Sequence, residues 1–420
     1  MMIHLAKISV HQRFASTYVV VLGATMLITV AGLSALLVVR GDRRGQEMAS
    51  DFTEARFLAQ SAIEMGQLDI RRDANWRSTK SSGTWRANQA LGRGSYSLTV
   101  TDADGNLGDD SSDSITMTGT GTVGSASFKL AVDLHPEEPA GMDSLGSAVH
   151  TATLLSVTSD LTVVDAPASS NGTVVVLGGT IDGNVEAVAT ITVTGTVKGT
   201  TKERVAAKQM PASTVFNDYI ATGVSIPYGS LSGSTLKKVV LSPGSNPFGA
   251  VHPDGLYVIS CANQKLIIKD LRVHGSLVIL DPGTGSKIEG TVNWETFNPR
   301  MPALLVRGSI DFSWTGEVDE GSLNVNLNPP GSPYKGVANI TQSDKYPGSL
   351  VGLVYVSGTL SISKPAEIQG VLISAGVSMD VNRPVTVTHD PSIILDPPKG
   401  FERPNRPMIP TPGTWRQVVN

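Results

Sequence analysis

The chain has 420 residues with a formal net charge of −4, 43 glycines, a single cysteine, 5% aromatic residues and 17% charged residues. This balance suits a strand-and-turn body of small side chains better than a helical enzyme, and the lone Cys261 excludes an intramolecular disulfide framework. It offers no basic stripe of the kind that nucleic-acid binding demands, so no nucleic-acid partner is expected.

A leader of residues 1–13 carries Lys7 and Arg13, and an uncharged stretch runs unbroken from Phe14 to Val39. A hydrocarbon core about 30 Å thick needs roughly 20 apolar helical residues, so this stretch can span it with some tilt. Phe14, Tyr18, Leu22, Leu27, Leu33, Leu37 and Val39 mark the expected transmembrane helix. The run is longer than the apolar core of a signal peptide and ends in Val38-Val39-Arg40 rather than at a small-x-small site. An uncleaved, single-pass anchor is therefore expected, with the lipid bilayer as its first partner and the body exported.

Residues 40–72 continue as a membrane-proximal amphipathic helix, because Met48, Phe52, Ala55, Leu58, Ala59, Ala62, Met65 and Leu68 recur at three- and four-residue steps. Ala55, Ala59, Ala62 and Gly66 make one part of that face small, which permits close approach of the chain's own next domain or of a neighbouring helix.

Residues 73–140 read as a small β unit, with alternating strands at 95–101, 114–118 and 126–132. Its first loop, 102–110, carries Asp102, Asp104, Asn106, Asp109 and Asp110 around Gly105. These oxygen donors can surround calcium, although the spacing is not that of an EF-hand; the alternative is a hairpin turn. No other cofactor is expected.

From residue 145 to 395 the triplet Gly, Ser or Thr, aliphatic recurs, as at Gly179-Thr180-Ile181, Gly195-Thr196-Val197, Gly308-Ser309-Ile310 and Gly358-Thr359-Leu360. The first two lie 16 residues apart, about one coil of a β-solenoid, and this predicts Ile181 stacked over Val197. Ile181, Val185, Ile191, Val193 and Val197 should then point inward and Lys198 outward. A Pro-, Ser- and Gly-rich segment, 201–255, reads as an excursion from the solenoid, and a β-sandwich is the alternative architecture. The charged residues of the strands and the seven histidines are scattered, so no catalytic constellation is expected and the chain reads as non-enzymatic. The last segment, 396–420, is Pro-rich and expected to be extended, outside any ladder.

Two resemblances follow from these residues. The basic leader, Tyr18-Val19-Val20-Val21-Leu22-Gly23, the apolar run to Leu37 and Glu54-Ala55-Arg56-Phe57-Leu58-Ala59-Gln60-Ser61-Ala62-Ile63-Glu64 resemble the N-terminus of PilX-type minor pilins and K-type pseudopilins of general secretion. Arg13 stands before Phe14 where prepilins have Gly, and Tyr18 stands where major pilins carry Glu. The repeat at 172–199 is similar to bactofilin-type β-helix repeats. The first resemblance implies a minor or tip subunit, or an assembly factor, of a type IV pilus or type II secretion system. Its partners would be other pilin-like subunits and the assembly machinery, with the helix in the cytoplasmic (inner) membrane and the body outside it. A membrane-tethered carbohydrate-binding or carbohydrate-active β-helix protein is the alternative function. The expected fold is mainly β: a long N-terminal transmembrane helix, a pilin-like αβ neck and a β-solenoid.

Overall fold

The structure, a computed structural model, describes residues 11–419 apart from 74, 111, 112, 139, 377, 404 and 405, with side chains from residue 17 onward. Most of the leader therefore lies outside the described residues, and Phe14 is described only as helical backbone. The chain divides into two compact units: residues 1–136 with 407–420, and residues 137–406.

The first unit begins with one helix, α1 (His11–Arg72). At 1.5 Å per residue it is about 93 Å long. The apolar stretch and the amphipathic segment are thus halves of one helix rather than separate elements. Four strands follow, β1 (Gly83–Leu91), β2 (Gly94–Thr101), β3 (Ile115–Val123) and β4 (Ala126–Pro136), in an antiparallel sheet of order β1-β2-β3-β4. Strand β1 had no signal in the sequence because it lies mostly exposed at the sheet edge and carries two register shifts, which remove the alternation that marks the other three.

Alternation on β2 and β3 puts Tyr96, Leu98, Val100, Ile115 and Met117 in the core against Leu58, Ile63 and Ile70 of α1. The contact is very close at two glycines. A methyl group built on Gly119 would lie 2.1 Å from the Ala59 carbonyl oxygen, and one on Gly121 2.0 Å from that of Ala55. Only hydrogen fits there, so the glycines of β3 and the small stripe of α1 are two halves of one joint.

The C-terminal tail returns to this sheet. Met408–Pro410 and Arg416–Gln417 both pair antiparallel with β4, which corrects the expectation of a tail outside any ladder. A proline is tolerated there because it sits on an edge strand, where its missing N–H need not face a partner. The second unit is therefore inserted between two neighbouring strands of the first.

That unit is a β-solenoid, and the sandwich alternative is excluded because its 24-stranded sheet is joined by parallel pairs into stacked ladders. One ladder runs through Leu256–Ser260, Ser276–Leu280, Leu304–Arg307, Ser349–Val356, Ala366–Ser374, Val149–Thr151, Ala168–Ser170, Val185–Ala187 and Thr201–Glu203. The spatial order is not the chain order. Residues 149–203 wind from the middle to one end, residues 204–223 with the short helix Val215–Thr222 lead away, and residues 224–388 wind from the other end back to the middle. They meet in a seam where Ala366–Ser374, Met379–Val381 and Val385–Thr388 pair with Val149–Thr151, Leu154–Val157 and Leu161–Val164.

Thr180–Ile181 pairs with Thr196–Val197, and Ile181 also pairs with Leu161, giving a ladder of stacked aliphatics. The triplet glycines mark corners where backbones stack: a methyl on Gly358 would lie 2.4 Å from the Gly308 backbone, with Ile310 and Leu360 paired beside it. Ile181 and Val185 are fully buried, but Val193 is 41% exposed and Ile191 and Val197 are only partly buried. They belong to the terminal coil, over which no further strand pairs among the described residues.

The segment read as an excursion, 201–255, contains Val224–Ser225, Thr235–Lys237 and Val240–Leu241, which all take places in the ladders. Residues 315–348, where the triplet Gly321-Ser322-Leu323 is expected to start a solenoid strand, instead leave the ladders: Glu320–Leu323 is a short helix capped by Asp319, and the segment forms a small lobe around Val318, Leu327 and Tyr346. Arg272, fully buried, holds this lobe to the solenoid by donating to the carbonyls of Leu327 (2.9 Å), Ser332 (2.8 Å) and Pro333 (2.7 Å). Inside the lobe the buried carboxylate of Glu320 accepts from Tyr346 Oη at 2.7 Å and from the Asp344 backbone N–H at 3.2 Å.

Candidate functional site

The most extensive candidate surface lies on α1. Tyr18, Leu22, Leu27, Leu33, Leu37 and Val39 are between 57% and 72% exposed, and the most apolar 18-residue window of the helix, mean hydropathy 2.3, has none of its residues buried. The helix is long and apolar enough there to cross a membrane. Ala55, Ala59 and Ala62, by contrast, are fully covered by the chain's own sheet, and Gly66 packs against Leu98 and Met117. The small stripe is used within the chain.

Beside that joint, the flank of α1 and the sheet edge enclose a groove of about 640 Å³. Phe52, Arg56 and Phe57 line it from the helix and Phe128, Trp415 and Arg416 from the edge strands. Phe57 and Trp415 project into solvent, and the Phe52 ring meets the Phe128 ring edge-on at 5.3 Å. Arg416 is held by Asp133, and this ion pair lowers the carboxyl of Asp133 below its usual range. The sequence signal for the groove was absent, since Trp415 and Phe57 are 358 residues apart and meet only because the tail pairs with β4.

The loop between β2 and β3 gathers Asp102, Asp104, Asp109 and Asp113, each offering a carboxylate oxygen within 4.8 Å of the others. Asp113 was not singled out in the sequence, lying beyond the acidic run. Asp110 is not in the group, and the side chain of Asn106 accepts from the Gly108 backbone N–H at 3.4 Å, in a turn. The loop is pinned by the buried Leu107 and by Arg77, which donates to the carbonyls of Leu107 (3.1 Å) and Asp113 (2.6 Å) while stacking 4.6 Å from the Trp76 ring. Burial, then the charges of Asp110, Asp109 and Asp104, push the carboxyl of Asp113 up. The Asn106 backbone N–H, then Asp109, hold that of Asp104 down.

Two places in the solenoid bear on chemistry. At the seam, His150 Nδ1 meets Ser169 Oγ at 2.7 Å, Ser169 Oγ meets Ser147 Oγ at 2.7 Å, and Lys208 Nζ donates to Ser147 at 2.6 Å and pairs with Glu186 at 3.0 Å. Although it contains serine, histidine and lysine, Ser147, Ser169 and His150 are buried beyond the reach of a substrate. Burial, then Lys208, lowers the His150 imidazole to about 3, so at ordinary pH the ring is neutral and only weakly basic. On the outer surface a cleft of about 390 Å³ is lined by turns at Pro282–Ser286 and by Ser309, Asp311 and Thr359, with one carboxylate and no aromatic ring. It lacks the paired carboxylates of glycoside chemistry and the stacking platforms of sugar binding.

The fold is thus mainly β: a long apolar N-terminal helix runs onto an antiparallel sheet, and a β-solenoid is inserted in the chain between two neighbouring strands of that sheet. Among solved structures, the competence-associated pilin ComZ from Thermus thermophilus matches over 88% of this chain and 98% of its own, at 12% identity and a TM-score of 0.28. No protein-family model and no curated protein matches the chain.

Proposed function

We propose that this chain is a non-enzymatic minor or tip component, or an assembly factor, of a type IV pilus or a type II secretion pseudopilus. It is anchored in the cytoplasmic membrane with its body on the extracytoplasmic side. The observation that carries this reading is the division of labour along α1: Ala55, Leu58, Ala59, Ala62, Ile63 and Gly66 are sealed onto the chain's own sheet, whereas residues 17–39 present an apolar surface with nothing of this chain upon it. Such a helix is stable in lipid, and equally when packed among similar helices of other subunits, because the driving force between apolar helices in lipid is packing rather than hydrophobicity. Moving from lipid into a helical filament core then exchanges one apolar environment for another. Arg40, Asp42, Arg43, Arg44 and Glu47, all on the helix just beyond Val39, suit the membrane–water boundary.

A non-catalytic role is supported by the seam cluster, whose hydroxyls are buried, and by the bare outer cleft. The test is fractionation of cells that express the full chain: sheared surface filaments should contain it in small amounts relative to the main subunit. Its complete retention in washed membranes of filament-producing cells, with filament number unaffected by its deletion, would defeat the proposal.

A further inference from the structure

We infer that the groove between α1 and the tail strand of the first unit is a binding site for an acidic oligosaccharide, a sugar chain that carries a carboxylate. Its volume of about 640 Å³ lies within the range of small-ligand sites, roughly 300–1,000 Å³. Phe57 stands 18 residues beyond Val39 on α1, about 27 Å along the helix, so lipid around the apolar stretch does not reach it.

The lining divides into rings and polar groups. Phe57 is 61% and Trp415 43% exposed, and among the described residues neither ring rests against another aromatic ring. Exposed rings that flank a groove offer platforms to the apolar C–H face of a sugar ring. Beside them the Arg56 guanidinium and the Gln417 amide are exposed and have no partner among the described residues. Gln60 Nε2 donates to Glu64 at 3.0 Å, which leaves the Gln60 carbonyl oxygen to accept from a hydroxyl. No carboxylate lines the groove, so it is locally positive in a chain of net charge −4, and the ligand that complements it is an anion.

The number of free cations selects the kind of anion. Arg416 is held in a fork by both oxygens of Asp133, at 2.8 and 3.0 Å, so its charge is already met and Arg56 is the guanidinium left for a ligand. A groove that tracks a nucleic-acid backbone needs cations along its length. One fork beside two rings and two amides suits one carboxylate on a hydroxyl-rich chain. Cleavage of that chain would need a pair of carboxylates, which the lining lacks, so the groove holds the sugar without cutting it. The backbone on both sides of Trp415 is pinned, by the Arg416–Asp133 fork and by Thr414 Oγ1 donating to the Thr411 carbonyl at 2.8 Å, so little ordering is required when the ligand arrives. The inference goes beyond the pilus reading and does not rest on it: binding by the purified chain is scored whether or not the chain enters filaments.

The test is calorimetric titration of the full chain in a detergent without a sugar head group. The acidic probes are a galacturonate trimer, sialyllactose and the disaccharide of N-acetylglucosamine and N-acetylmuramic acid; neutral maltotriose and a short oligothymidylate are the comparisons. At least one acidic probe should bind, and at least about tenfold more tightly than maltotriose, because a charge-assisted fork discriminates by about that much. Trp415→Ala and Phe57→Ala should each weaken that probe about three- to tenfold, whereas Trp415→Phe, which keeps a ring, should weaken it less. Arg56→Gln, on an exposed helical position that does not endanger folding, should remove the preference for the acidic probe and leave maltotriose within about twofold. No heat with any acidic probe at millimolar concentration would overturn the site, as would equal affinity for maltotriose or tighter binding of the oligothymidylate than of every sugar. Undiminished affinity in the Trp415→Phe, Arg56→Gln double variant would overturn it as well.

Discussion

Replacing Gly121 by alanine should break the joint between α1 and the sheet. The added methyl would lie 2.0 Å from the Ala55 carbonyl oxygen, 2.7 Å from the Ala59 nitrogen and 2.8 Å from the Leu58 Cβ. Real contacts of this kind essentially never fall under 3.0 Å, so the helix must retreat by about 1 Å, and backbone atoms on a packed helix cannot rotate away as a side-chain tip would. Retreat opens gaps around Leu58, Ala59, Ala62 and Leu98, all of which are buried. Overpacking alone costs about 1–3 kcal/mol, and the lost contacts bring the expected total to about 3–5 kcal/mol. Gly45→Ala is the matched control: nothing lies within 4 Å of a methyl there, and alanine improves helix propensity by up to about 1 kcal/mol. Amide hydrogen exchange of the full chain in detergent reads both. Gly121→Ala should accelerate exchange across residues 52–66 and β3, and Gly45→Ala should not. Equal protection in the two variants would refute the close-packed joint.

Three further outcomes are expected. His150 is held near 3 in the folded state against 6.5 unfolded, so below pH 6.5 the unfolded chain binds the extra proton and the folded solenoid loses stability as pH falls. The loss is about 1.4 kcal/mol per pH unit, or about 2 kcal/mol by pH 5, and denaturant unfolding of His150→Gln should lack this slope between pH 6.5 and 5. Ile181→Ala, between Leu161 and Val197 in a fully buried ladder, should cost about 2–5 kcal/mol, whereas Val197→Ala on the terminal coil should cost about 1 kcal/mol or less; equal costs would contradict the end assignment. Arg272→Met leaves three carbonyls, two of them in buried bonds, without their donor and should destabilise by about 3–5 kcal/mol, with exchange in residues 315–348 rising first; unchanged protection there would show that the guanidinium is not the clamp.

The general architecture was legible because its signals are periodic. An uncharged run reports a spanning helix, and alternation reports β2, β3 and β4. Two Gly-Thr-aliphatic triplets at a constant spacing report coils whose register, Ile181 on Val197, was readable to the residue. What sequence could not carry was anything set by distant partners. The tail looked unfit for a ladder because its prolines lack N–H donors, yet an edge position makes no demand on them. The excursion was misplaced because Pro and Gly mark turns, and solenoid corners use as many turns as loops do, as the strands at 224–241 show. Val193 was expected inside because inward direction follows from alternation, while burial depends on whether another coil covers it. Asp113 joined the acidic loop through folding of the turn around Leu107 and Arg77, and nothing in the sequence set Arg272 apart from the other scattered strand charges, because its three acceptors lie 55 to 61 residues away.

The most direct test of the account places a photo-crosslinking amino acid at Leu22 or Leu33 of the full chain, in cells producing their filaments. Both side chains are more than half exposed on the apolar half of α1, in a window with no buried residue. If α1 moves between lipid and a helical assembly, the adducts should include the N-terminal apolar helix of another single-pass subunit, and Asp substitution at the neighbouring Leu27 should abolish them. Adducts with lipid alone, at both positions and in cells that assemble filaments, would contradict the central claim.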